Sequence, residues 1–86
     1  MVTESTRTIP STGGLLDQVS MLRADADLMD GYARRLLATA SALSDCAVAP
    51  EWSRPTLEQQ AAACTTAAEQ LRTAAEALLA HMRAGG

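Results

Sequence analysis

Apolar residues recur along this chain in two long stretches with the same spacing. In the first, Leu15, Leu22, Met29, Leu36 and Leu43 return every seven residues, and Val19, Ala26, Ala33 and Ala40 fill the alternate places. The steps run four then three throughout. That is the seam of a helix packed along another helix, because 3.6 residues per turn brings such positions to one side. In the second stretch Leu57, Cys64, Leu71 and Leu78 form one row, and Ala61, Ala68, Ala75 and Met82 the other. Each seam alternates a large residue with a small one. Small residues once per heptad let two helix axes approach closely, and the leucines fill the flanks.

Between the stretches lies Cys46 to Pro55, reading CAVAPEWSRP. It holds two of the three prolines and the only tryptophan. A break of about ten residues is short enough to demand an antiparallel hairpin. The spacing predicts helix one over about 14–45, a turn over 46–55 and helix two over about 56–84. A residue before proline avoids the helical region, so Ala49 and Arg54 are expected to be extended. Thr56-Leu57-Glu58-Gln59 matches a capping box, with Thr56 as N-cap. Gly85 is the expected residue closing helix two. Gly31 interrupts the first pattern at a cost of roughly 1 kcal/mol relative to alanine, without shifting its phase. One helix, bent at most there, is expected. Asp30 and Arg34 stand four apart and predict a surface pair. Residues 1–12, rich in Ser and Thr, predict a flexible tail, with Ser11 or Thr12 available to cap helix one.

The expected fold is therefore all-α, an antiparallel two-helix hairpin over 13–86. Some apolar residues fall outside its seam. Met21, Leu28 and Tyr32 lie on one side of helix one, with Leu16 and Leu37 on the other, and Ala63, Ala67, Ala74 and Ala77 widen the face of helix two. A two-helix hairpin covers each helix on one side only, so these groups need another surface. Pairing of two hairpins into a four-helix bundle satisfies them, with Met21, Leu28, Tyr32, Ala67 and Ala74 at the partner interface.

Composition narrows the chemistry. The chain has 86 residues, with no phenylalanine, one tyrosine and one tryptophan. Its formal net charge is −3, and its seven basic residues are scattered arginines. That argues against a nucleic-acid partner, which needs a basic face. No apolar run approaches the roughly 18 residues of a membrane span. The N-terminal MVTESTRTIPSTGG has no hydrophobic core of a secretory signal. A cytoplasmic protein is expected, with any export by a leaderless route.

No catalytic or cofactor site is legible, so the chain is expected not to be an enzyme. His81 is the only histidine, and Leu78 stands where a bundle metal site would need glutamate. The acidic residues Asp25, Asp27 and Asp30 are flanked by Arg23 on one side and Arg34 and Arg35 on the other, and predict a solvated face. Cys64 lies in the seam and Cys46 at the edge of the break. In an ideal hairpin they are offset by roughly 10 Å along the axis, too far for a disulfide. A Cys46–Cys64 bond would need the loop to fold back over helix two, and the question stays open at this level. Trp52, between prolines, has two compatible readings: a cap over the open end of the hairpin and an aromatic presented at its tip.

Two long Ala/Leu helices about a tryptophan-centred turn resemble the WXG100 (ESX-type) proteins of type VII secretion. The likeness spans about residues 15–84. The family's Trp-x-Gly turn stands here as Trp52-Ser53-Arg54, with arginine in place of glycine. The family's C-terminal Tyr-x-x-x-Asp/Glu signal is missing, since Tyr32 is in helix one and Leu36 follows it. The resemblance implies a non-enzymatic, actinobacterial-like hairpin that dimerises with itself or a related hairpin, and accompanies a larger secreted effector. Without the signal, it would travel as the silent half of such a pair. The alternative is a cytosolic adaptor or regulatory subunit docked on a larger protein.

Overall fold

The computed structural model describes residues 12–85 and contains two helices, α1 over Thr12–Ser44 and α2 over Ser53–Gly85. Residues 1–11 of the expected tail, with the Ser11 cap, lie outside the described residues; Thr12 is already helical, so it belongs to α1 rather than to the tail. Each helix has 33 residues, about 50 Å of axis at 1.5 Å per residue. They pack along one another as an antiparallel hairpin, and among the described residues there is no strand.

The seam is the one the heptads mark. Its small positions are buried: Val19, Ala26, Ala33 and Ala40 on α1, with Ala61, Ala68 and Ala75 on α2. Ala26, Ala68 and Ala75 have no exposed surface at all. The large positions, Leu15, Leu22, Met29, Leu36 and Leu43, are only half-buried, as are Leu57, Leu71, Leu78 and Met82. The cause is steric. Alanines at the line of closest approach pull the helices together, and side chains too large for that gap splay to its edges. Among the described residues no large side chain is fully buried. An alanine methyl is worth only about 0.8 kcal/mol on burial, so the hairpin's own core is thin.

Ion pairs between the helices show the register. Arg23 pairs with Glu76, and Arg72 with both Asp27 and Asp30. In that register Ala26 stands opposite Ala75, Ala33 opposite Ala68 and Ala40 opposite Ala61. Layers of facing alanines thus alternate with layers of facing large residues, among them Met29 with Leu71 and Leu43 with Leu57.

The connection is a run of tight turns. The amides of Asp45 and Cys46 donate to the carbonyls of Ala42 and Leu43 at 3.4 and 3.0 Å, and the Ser44 hydroxyl donates to the Ser41 carbonyl at 2.6 Å. The carbonyls that α1 leaves without helical partners are satisfied in this way. Ala49 N–H donates to Cys46 at 3.2 Å, and Ser53 N–H to Pro50 at 3.0 Å.

Helix α2 starts three residues before the capping box. Thr56 N–H donates to the Trp52 carbonyl at 3.1 Å, so Trp52 is the cap residue and Thr56 is already inside the helix. Arg54 is helical rather than extended. Pro55 falls in the first turn, where its missing N–H has no intrahelical acceptor, and the carbonyl four residues back belongs to Glu51, outside the helix. The restriction on Arg54 is offset by the gain of a whole turn. Gly85 continues the helix instead of closing it, with a backbone that any residue can adopt. Helix α1 runs unbroken through Gly31.

Candidate interaction surface

Helical spacing divides the hairpin into two flanks on either side of the seam. The first flank carries the ion pairs. Arg23 Nη2 donates to Glu76 Oε2 at 3.2 Å. Arg72 Nη2 donates to Asp27 Oδ1 at 2.8 Å and to Asp30 Oδ2 at 2.7 Å. Asp30 therefore pairs across the hairpin, and the expected partner within its own helix, Arg34, is not used. The acidic run is not merely a solvated face either, since two of its three carboxylates hold one arginine. These contacts raise the Arg72 pKa above its ordinary value, the hydrogen bond to Asp30 first and that to Asp27 next. Leu16 and Leu37 stand at either end of the same flank and remain exposed.

The second flank has no ion pair among the described residues. On α1 it presents Met21, 58 % exposed, Leu28, 55 % exposed, and Tyr32, 41 % exposed. The Arg35 guanidinium carbon lies over the Tyr32 ring at 5.0 Å from its centroid, a cation–π contact that also shows Arg35 on this side. On α2 the flank alternates alanines with the exposed Gln60, Gln70 and His81. Ala67 is half-buried, and Ala63, Ala74 and Ala77 are exposed. The five residues expected at a partner interface thus share one face. The large ones are on α1 and the small ones on α2.

The turn residues divide by exposure. Trp52 is 67 % exposed at the tip, so of its two readings it is presented more than it caps. Ser53 is the buried polar side chain of the described residues, and Arg54 is exposed. Cys46 and Cys64 are both free thiols, the first exposed after the end of α1, the second half-buried in the seam. The register places Cys64 opposite Leu36, about three turns from Cys46, so the loop does not fold back over α2. At the far end of the hairpin, a groove of about 470 Å³ is lined by Leu15, Leu16, Leu79, His81, Met82 and Arg83 among others. His81 borders it as an exposed side chain.

Among the described residues, no three His, Cys, Asp or Glu side chains are grouped to hold a metal ion. No described helix is long and apolar enough to cross a membrane. Sequence reasoning missed Arg23, Arg72 and Glu76. The signal was there: each lies beside its seam and meets the opposite charge once the heptads are aligned antiparallel. The class that the fold defines is an all-α helical hairpin, bridged by ion pairs on one flank and exposing Met21, Leu28 and Tyr32 on the other. No family model, no curated protein and no solved structure matches the chain.

Proposed function

We propose that this chain is a non-enzymatic partner protein whose apolar flank pairs with another helical hairpin to make a four-helix bundle. One observation carries the reading. The two flanks of the hairpin are unlike: one is tied across the helices by Arg23 with Glu76 and Arg72 with Asp27 and Asp30, and the other, with no such pair among the described residues, exposes Met21, Leu28 and Tyr32 beside alanines. Exposed single apolar residues are ordinary in soluble proteins. Three on one flank of α1, beside the alanines of α2, form a surface that water covers poorly. The thin seam adds to the case, because a second hairpin would bury the large side chains that the first leaves half-exposed.

The two long antiparallel helices and the exposed tryptophan at their tip support a role like that of WXG100 proteins, accompanying a larger effector through type VII secretion by a leaderless route. In this reading Trp52, Ser53 and Arg54 mark the end of the bundle at which a secretion apparatus or effector is met.

The test is Met21→Asp combined with Leu28→Asp. The variant should stay helical by circular dichroism and lose pairing, seen as the mass of one chain by light scattering and as loss of the hairpin that co-purifies from the native host. Pairing that survives both substitutions would sink the proposal.

A further inference from the structure

The partner can be specified further, and the specification rests on the pairing proposed above. The apolar flank of α1 is a second heptad seam. Gln18, Met21, Asp25, Leu28, Tyr32, Arg35, Thr39 and Ala42 follow one another in steps of three and four. All are exposed. The seam spans about 36 Å of helix. It contains one acid and one base, Asp25 and Arg35, placed symmetrically about the level of Asp30. Among the described residues neither has an ion-pair partner, whereas Asp27 and Asp30 on the other flank do.

We infer that the partner is a second copy of this chain, with α1 of each copy lying antiparallel on α1 of the other about a two-fold axis at the level of Asp30. Four pairings follow, each occurring twice by symmetry. Leu28 meets Tyr32 at the centre. Asp25 meets Arg35 just outside them, Met21 meets Thr39 beyond, and Gln18 meets Ala42 at the ends. Each pair joins one residue from each row of the seam, as antiparallel helices require. Arg35 reaches the acid from beside its own Tyr32, so the aromatic ring lies against the central leucine while the charge is carried outward.

Alternative arrangements match the charges less well. Parallel packing of the two α1 helices would set Asp25 against Asp25 and Arg35 against Arg35, which repel. Laying α1 across α2 of the second copy would set both charges against alanines, leaving them desolvated and unpaired. Only the antiparallel α1 seam neutralises them. The alanines of α2 on this flank, Ala63, Ala67, Ala74 and Ala77, let the two hairpins close face to face.

A charge swap on the full chain tests the inference. Asp25→Arg alone and Arg35→Asp alone should each weaken self-association at least about tenfold, because like charges then face each other twice. Sedimentation equilibrium at low salt measures this, with circular dichroism to confirm helicity. Mixing the two variants in equal amounts should restore the mass of two chains, since each supplies the charge the other lacks. If both variants pair as tightly as the natural chain, or if the mixture associates no better than either alone, the inference is overturned. A natural chain that is single on its own yet binds a different hairpin through Met21 and Leu28 also overturns it, while leaving the proposed pairing standing. Self-association that ignores Met21→Asp and Leu28→Asp overturns both.

Discussion

At Gly31 a methyl group has room, and at Ala68 nothing larger does. An added Cβ at Gly31 would meet only the Arg34 guanidinium, at 3.9 Å, in ordinary contact. Gly31→Ala should therefore stabilise the chain by about 1 kcal/mol through lower backbone entropy in the unfolded state. A higher urea midpoint at unchanged slope is the expected result. Ala68 is fully enclosed and faces Ala33 across the seam. Ala68→Leu should cost about 1–3 kcal/mol, because the helices must separate or the leucine must leave its rotamer. A midpoint equal to that of the natural chain would mean the seam is not close-packed there. The heptad rows were legible residue by residue. Which row would be buried was not, because that depends on how near the axes come.

At the scale of the helices, the pairing of charges decides the register as much as the seam does. Arg72 holds Asp27 and Asp30 together against α2. Its raised pKa means that, while the two aspartates stay ionised, this contribution is fully present below the ordinary arginine value. It is lost only as pH rises through the raised one, so titration of Arg72 itself leaves stability unchanged near neutrality. The pairs are substantially exposed, so salt screens them. Arg72→Gln should lower the melting temperature at low salt by less than Ala68→Leu does. The gap to the natural chain should narrow as salt is raised, and a gap independent of salt would refute the electrostatic account. The helices themselves were evident from spacing, and their ends less so. The Thr56 box satisfies a local rule, but starting α2 at Ser53 adds a further turn and places Pro55 where it does no harm. The Asp30–Arg34 pair obeys local spacing too, and gave way to an arginine on the other helix.

For the whole molecule, ion pairs bridge the helices on one flank only, and the other exposes Met21, Leu28 and Tyr32; the proposed partner rests on this asymmetry. Two periodic stretches and a ten-residue break determined the all-α hairpin by themselves, because spacing sets which side of a helix is apolar and a short connection forces the chain back. The apolar side of Met21, Leu28 and Tyr32 could also be read, as could Ala67 and Ala74. Tertiary structure alone decided the rest. It brought the alanines rather than the leucines to closest contact, since axis separation is a property of two helices together. It placed Cys46 and Cys64 about three turns apart, since register depends on where α2 starts. It sent the ion pairs to one flank, since a charge finds its partner across the seam only after the helices have met.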